Sequence, residues 1–461
     1  MHIHILGICG TFMAGIASLA KAQGHDVTGS DLHFYPPMSY QLKNLGIKVI
    51  EGYDENQLSS PPDCVLVGNA LSRGNDLVEA LLNSDIHFQS GPEWLAENVL
   101  KGRKVVAIAG THGKTTVASM LAWILEDAGL SPGFLIGGIP CDFGISAAIG
   151  ESEYFVLEAD EYDTAFFDKR AKFLLYHPHI VVLNNLEYDH ADIYDDIEHI
   201  KSQFHKLIRT IPSNGHIILN GEDKNLSSVI KMGCWTPMET FGIREGFDWA
   251  GEFSDLGGRN IRIKKGRHET VESPWNLSGE HNLENALAAI SSAYKLGVSL
   301  SDSLKSLSKF SGVKRRLEKT ATILNISIYD DFAHHPTAIR RTIVALKKQN
   351  PNQRVIVALE LRSNTMKMGL HNKDLVDALV NADFVVMFAP SNFDSEVISS
   401  SLGSKIECFS NYNDLIFGLE NKLNDGDQVV FMSNGSFGGV REVLTKNLQK
   451  NKPGEGDYDE T

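Results

Sequence analysis

The chain has 461 residues, 42% hydrophobic and 22% charged, with a formal net charge of −15. That length exceeds what one hydrophobic core serves and points to about three domains of ordinary soluble composition. The acidic balance excludes nonspecific binding to nucleic acid or an acidic membrane, and no apolar run is long enough to span a bilayer. The five cysteines (Cys9, Cys64, Cys141, Cys234, Cys408) include no CxxC pair, which excludes a disulfide framework and a zinc cluster.

From the N-terminus, His2-Ile-His-Ile-Leu6 enters a strand at once, with no basic leader and long apolar core, and the reading is a cytoplasmic protein. Gly7, Gly10 and Gly15 follow, then a helix over residues 14–23 and a second strand ending in Ser30-Asp31. This is the opening βαβ unit of a dinucleotide-type fold. The spacing Gly-x-x-Gly-x-x-x-x-Gly is not the dinucleotide fingerprint, so the fold is expected without bound NAD. Further βα-like pieces fall at 46–50, 63–68 and 93–97, and the polar stretch Leu100-Lys-Gly-Arg-Lys104 closes a first domain at 1–103.

A second domain is expected over 104–312. It opens with Val105-Val-Ala-Ile-Ala-Gly110-Thr111-His112-Gly113-Lys114-Thr115-Thr116 and a helix-forming run. A β-branched strand, a glycine turn with Lys and Thr, then a helix is the layout of a phosphate-binding loop. Glycines let backbone N–H groups curl round a polyphosphate, and the helix terminus adds its positive end. Lys114 suits phosphate oxygens, and the Thr115 hydroxyl suits Mg²⁺. An apolar strand then ends in Glu158-Ala-Asp160-Glu161-Tyr-Asp163, carboxylates that repel unless a cation lies among them. Another, Ile180-Val-Val-Leu, ends in Asn184-Asn-Leu-Glu187-Tyr-Asp189-His190. Ligands in open α/β sheets bind beyond the carboxyl ends of strands, so Lys114, Thr115, Glu158 and His190 are expected to converge on a metal–nucleotide site. Asn282 and Asn285 share a helix face and suit a purine or ribose, although the same pattern alone reads as helix capping. The His177-Pro-His179 and His334-His335 pairs lack further ligands nearby in sequence for zinc.

A third domain, 313–448, carries Lys314-Arg315-Arg316, the strand Ile326-Ser-Ile-Tyr-Asp330-Asp331 with His334-His335-Pro336, and the strand 354–359 leading into Glu360-Leu-Arg362-Ser363-Asn364-Thr-Met-Lys367. Strands at 383–387 and 427–432 complete a small α/β sheet, and the polar 449–461 reads as a disordered tail.

Six of these motifs in order resemble the ATP-dependent Mur ligases: the Gly110–Thr116 loop, the Glu158–Asp163 cluster, Asn184 through His190, His281-Asn-Leu-Glu-Asn285, Arg315-Arg316, and Asp330-Asp-Phe-Ala-His-His-Pro336. The resemblance covers essentially the whole chain. It implies a three-domain α/β architecture: a Rossmann-like N-terminal domain for a UDP-substrate, a central P-loop ATPase domain, and a Rossmann-like C-terminal domain for the incoming peptide. It implies ATP and Mg²⁺ as cofactors. The turn Gly7-Ile-Cys-Gly10-Thr11-Phe-Met13-Ala-Gly15 is similar to the branch acting on UDP-N-acetylmuramate. Within that branch, Glu360 through Gly369 and Ser433-Asn-Gly-Ser-Phe-Gly-Gly439 are similar to the member that attaches the murein tripeptide L-alanyl-γ-D-glutamyl-meso-diaminopimelate, rather than to the member that adds L-alanine.

By the same resemblance, Gly110, Thr111, His112, Gly113, Lys114, Thr115 and Thr116 would cradle the nucleotide, and Thr115, Glu158 and His190 would hold Mg²⁺. Asn282, Asn285, Arg316 and Asp331 would serve nucleotide and phosphoryl contacts, with Lys114, Glu158, His190, Arg316 and Asp331 catalytic. Gly7, Gly10, Thr11, Met13, Ser30 and Asp31 would bind the UDP-substrate, and Arg362, Ser363, Asn364 and Lys367 the peptide. Some members carry a carbamylated lysine near a second metal; Phe204-His205-Lys206 is the corresponding stretch, and the part of Lys206 stays open. A dehydrogenase reading rests on residues 1–31 alone and leaves the phosphate loop unexplained.

Overall fold

In the computed structural model, residues 1–450 are described except 35, 256, 268, 363, 391, 392, 394 and the side chain of Asn364. They form two compact units, Met1–Leu277 with His281–Val313, and Ser278–Glu280 with the residues from Lys314 onward. Among the described residues no helix is long and apolar enough to cross a membrane.

The first unit holds two large sheets. One is fully parallel, in the order Lys48–Glu51, Asp26–Asp31, His2–Leu6, Cys64–Val67, Phe88–Ser90. The other has ten strands. Its centre runs His216–Asn220, Ile180–Leu183, Lys104–Ala109, Tyr154–Ala159, all parallel, with nearly every residue buried, as expected of strands covered on both faces. Beyond His216–Asn220 lie Met238–Gly242 and the antiparallel run Trp249–Phe253, Asn260–Lys265, Glu269–Pro274, which the sequence reading left unassigned.

The two sheets share one hydrophobic core that runs from Ile3 and Ile16 to Leu157 and Leu183. Helix Thr11–Ala22 explains this. Its residues Met13–Ala20 are buried without a break, so it has no polar face, the signature of a helix covered all round. Gly15 lets it approach the central sheet, because a Cβ there would lie 3.2 Å from Leu135. Gln41 ties the same contact with amide donations to Ser18 (2.9 Å) and Ser146 (2.8 Å), and it accepts the Ser146 N–H at 3.0 Å. The helix begins at Thr11, three residues before the sequence reading placed it, because Gly10 serves as its N-cap. Residues 93–97 are not a βα piece; they belong to helix Gly91–Leu95 and the turn of π-helix after it.

The second unit has one sheet ordered Glu318–Ile323, Ile326–Asp331, Gln428–Met432, Val355–Glu360, Phe384–Phe388, Ile406–Phe409, parallel except for the first pair. Helix Val440–Lys450 includes residues 449 and 450, correcting the start of the expected tail; 451–461 lie outside the described residues.

Candidate active site

Three neighbouring parallel strands bring the central motifs together. Leu183 pairs with Ala109, and Ala109 with Ala159, so the loops after all three strands open at one edge. Gly113 caps helix Lys114–Asp127 in the left-handed region (φ 81°), with no side chain satisfying the first helical N–H groups. That turn is latched from two sides. The His112 N–H donates to Asn185 Oδ1 (2.7 Å), and the amides of Asn184 and Asn185 both donate to the His112 carbonyl at 3.0 Å. Asn184 also donates to Asn285 Oδ1 (3.1 Å). A Cβ on Gly113 would stand 2.5 Å from that same oxygen, so the position requires glycine for space as well as for φ.

Lys114 is partly buried. Its ammonium donates to the Gly110 carbonyl (2.7 Å) and Glu161 (3.0 Å), with Asp160 at 3.5 Å. Burial acts to lower its pKa, but Glu161 and Asp160 overcome that and raise it, so the lysine is a permanent cation. Burial likewise opposes ionisation of Glu161, and Lys114 and His190 reverse this and hold its carboxyl below the usual range. His190 has φ 56° and places Nε2 3.3 Å from Glu161 Oε1; against burial, that partner raises its pKa.

Glu158 is 7% exposed, and its carboxylate accepts the Gly137 N–H. A Cβ on Gly137 would lie 2.9 Å from Glu158 Oε2, and one on Gly138 2.9 Å from Thr115 Cγ2, so this glycine pair leaves a gap over both residues. Thr116 is buried behind the loop, and the Thr111 hydroxyl donates to the Glu187 carbonyl (3.3 Å). Asn282 is not a helix cap, because its helix starts two residues earlier, at Glu280. Asn282 accepts from Asn285 at 3.4 Å. Lys206 is exposed and donates to Gln203 (3.3 Å).

In the other sheet of this unit, Gly7 (φ 76°) and Ile8 donate their N–H groups to the Ser30 carbonyl at 2.8 and 3.2 Å. Asp31 accepts the Cys9 N–H (2.8 Å) and so braces the glycine turn. Ser30 is fully buried and bonds His4 Nε2 (2.9 Å) and Gln57. Burial, with a smaller contribution from His2, pushes His4 down to about 4. Thr11 opens the helix beside Gly10, whereas Met13 is a core residue packed on Gly91.

In the second unit, Asp331 is 6% exposed, accepts the Ala333 N–H and the Thr342 hydroxyl at 2.9 Å each, and is raised above the carboxylate range by burial. The Arg316 guanidinium lies 4.8 Å from the Phe332 ring centre. Arg362 is exposed beside Gly435, where a Cβ would strike its guanidinium, and Lys367 is exposed at the end of helix Asn364–Lys367. Ser363 and the Asn364 side chain lie outside the described residues. The sequence reading did not single out Glu360, which is buried and accepts from Tyr412 (2.8 Å) and Ser433. It also passed over Asn184 and Asn185 as loop latches; paired amides just beyond a buried strand were the available signal.

A glycine turn opening a helix at the centre of a parallel sheet, a partly buried lysine held among carboxylates, and a second glycine turn in the same unit define a polyphosphate-handling α/β protein. Family models match in chain order: the Mur ligase family catalytic domain over residues 2–103, the Mur ligase middle domain over 108–293, and the Mur ligase glutamate ligase domain over 315–435. The chain belongs to the Mur ligase family, whose members are ATP-dependent amide-forming ligases. It is 46% identical to the UDP-N-acetylmuramate–L-alanyl-γ-D-glutamyl-meso-2,6-diaminoheptandioate ligase of Escherichia coli K12, over 98% of this chain and 99% of that one. It is 42% identical to the crystal structure of a murein peptide ligase from Psychrobacter arcticus, with a TM-score of 0.79 over 97% of this chain and 98% of that one. To the UDP-N-acetylmuramate–L-alanine ligase of Clostridium botulinum it is 30% identical, over 96% of this chain and 97% of that one.

Proposed function

We propose that the chain joins the tripeptide L-alanyl-γ-D-glutamyl-meso-diaminopimelate to UDP-N-acetylmuramate, with ATP cleaved to ADP and phosphate, in the recycling of peptidoglycan in the cytoplasm. The observation that carries the reaction class is Lys114, held on the phosphate loop between Asp160 and Glu161 at 3.5 and 3.0 Å. The choice of substrates is supported by the E. coli ligase at 46% identity against 30% for the L-alanine ligase. A reducing compartment suits the five free cysteines.

In the first step, the lactyl carboxylate of the acceptor attacks the γ-phosphorus; a C–O–P linkage forms, the β–γ P–O bond breaks, and ADP leaves with the electron pair. In the second, the peptide's free amine attacks the activated carbonyl, phosphate leaves, and the amine's proton is lost to solvent or a base. Phosphorylation is needed because a carboxylate oxygen is a poor leaving group. Lys114 exchanges its carboxylate partners for phosphate oxygens and spreads the charge that develops in transfer. The uncapped N–H groups that open helix Lys114–Asp127 orient the polyphosphate. The Thr115 hydroxyl and Glu158 carboxylate, below the gap at Gly137 and Gly138, are oxygen donors suited to Mg²⁺, with His190 as the third ligand once it exchanges Glu161. The ion would supply charge neutralisation at the phosphates. Arg316 and Asp331 contact the nucleotide and transferring phosphoryl group, and Arg362 and Lys367 meet the peptide carboxylates.

The test is phosphate release from ATP and Mg²⁺ with UDP-N-acetylmuramate, comparing the tripeptide with L-alanine as amine donor. Release with the tripeptide alone is expected. Release with L-alanine alone would move the chain to the biosynthetic branch.

A further inference from the structure

Lys172 opens the short turn Lys172–Leu175 and is buried, 3% exposed. Its ammonium lies over two aromatic faces, 4.1 Å from the Tyr162 ring centre and 4.6 Å from that of Phe12. Its nearest carboxylate is Asp160, at 4.0 Å, which is beyond hydrogen-bond reach. Among the described residues this ammonium, with three N–H donors, has no hydrogen-bond acceptor. Lys114, whose side chain is 12% exposed, makes two short donations. Two ring faces attract a cation but do not accept its hydrogen bonds, and a buried donor left unmade is costly. Burial pushes Lys172 down to about 8, so its surroundings do not fully stabilise its charge. A site that holds a cation without completing its shell is built for an anionic ligand.

Its place in the first unit says which anion. Phe12 stands in the first turn of helix Thr11–Ala22, directly after the glycine turn with uncapped N–H groups, and Gly91 allows close approach to its ring edge (3.2 Å from a Cβ). On the other side, Asp160 is shared between Lys172 and Lys114, at 4.0 and 3.5 Å. Lys172 therefore bridges the turn suited to the acceptor's diphosphate and the lysine suited to the nucleotide's terminal phosphates. The acceptor group that must lie between these two is the carboxylate that becomes phosphorylated.

We propose that Lys172 binds the lactyl carboxylate of the UDP-sugar acceptor and aims it at the nucleotide; this rests on the ligase reading above. Lys172 completes its hydrogen bonds on that carboxylate, with the Phe12 and Tyr162 rings fixing the direction of the ammonium.

The test is calorimetric binding of UDP-N-acetylmuramate and of UDP-N-acetylglucosamine, the same sugar nucleotide without the lactyl carboxylate, to the full chain and to Lys172→Met. Methionine keeps the stem on the rings and removes the charge. Loss of a charged hydrogen bond predicts UDP-N-acetylmuramate binding weakened about tenfold to a hundredfold, with UDP-N-acetylglucosamine changed less than about twofold. Lys172→Gln repeats the comparison should the methionine variant not fold, and thermal unfolding checks both. Lys172→Arg, which keeps a donor charge, should recover part of the affinity. An equal loss for both nucleotides would overturn the assignment and make Lys172 a packing or diphosphate residue; so would a wild-type preference for the carboxylate-bearing sugar that survives in both neutral variants. If the wild-type chain itself shows no such preference, the acceptor reading falls and takes the Lys172 assignment with it.

Discussion

Both glycine turns of the first unit join a parallel strand to a helix whose first N–H groups lack a side-chain cap, at Gly10 before Thr11–Ala22 and at Gly113 before Lys114–Asp127. Around the first, the partners are nearly neutral: His4, Ser30 and Gln57 behind the strand ends, with Asp31 as the brace. Around the second, Asp160, Lys114, Glu161 and His190 form a chain of charged groups, each within 3.5 Å of the next. The backbone solution for a phosphate is the same in both, because N–H groups at a helix terminus suffice to bind one. Transfer of a phosphoryl group needs more. Its charge moves, and a partly buried cation with exchangeable partners can follow it. Under the proposed function, the difference separates a turn that would hold a substrate from one that would activate it.

Substituting the cation should break the comparison most sharply. Lys114→Ala is expected to lower kcat by at least about a thousandfold, in the range of removing a main charge stabiliser, while calorimetric binding of the UDP-sugar at the other turn stays within about twofold. Normal turnover in that variant would remove the phosphate-loop assignment. Gly113→Ala attacks the latch instead. The new Cβ meets Asn285 Oδ1 and Asn184 Nδ2, at a φ of 81°. We expect a stability loss of about 1–3 kcal/mol and a raised KM for ATP, read by thermal unfolding and initial rates; unchanged values in both would show that the latch is slack.

The effect at the neutral turn is confined to acid pH. His4 has a folded pKa of about 4 against an unfolded 6.5. Between these values the unfolded chain binds a proton that the folded chain does not, so stability falls as pH drops from 6.5 towards 4 and is unaffected above 6.5. The loss is on the order of 2–3 kcal/mol at the acid end. His4→Gln, which carries no such proton, should flatten that part of the unfolding-temperature profile relative to wild type. Parallel profiles for the two proteins would place the acid sensitivity elsewhere.

The parallel cores were legible because β-branched runs such as Val105–Ala109 and Ile180–Leu183 are apolar on both faces, which only a doubly covered sheet explains. The motifs at their ends were legible for a related reason: glycine, lysine and clustered carboxylates after such a run have no packing use. Residues 212–276 carried neither cue, and their strands, including the three-stranded antiparallel run at the sheet's far edge, were missed. The helix cap read at Asn282 failed because the helix begins two residues earlier, at Glu280, which puts Asn282 inside its first turn.

Local chemistry in the sequence thus determined which residues can carry charge, turn the chain or line a core. Only the tertiary structure decided which of them meet. It brought Phe12 and Lys172 together across 160 positions of sequence, latched Gly113 under Asn285, and fused two sheets through one helix. Such contacts depend on the shapes that remain when apolar surfaces close over one another, and no short-range pattern in the chain encodes those shapes.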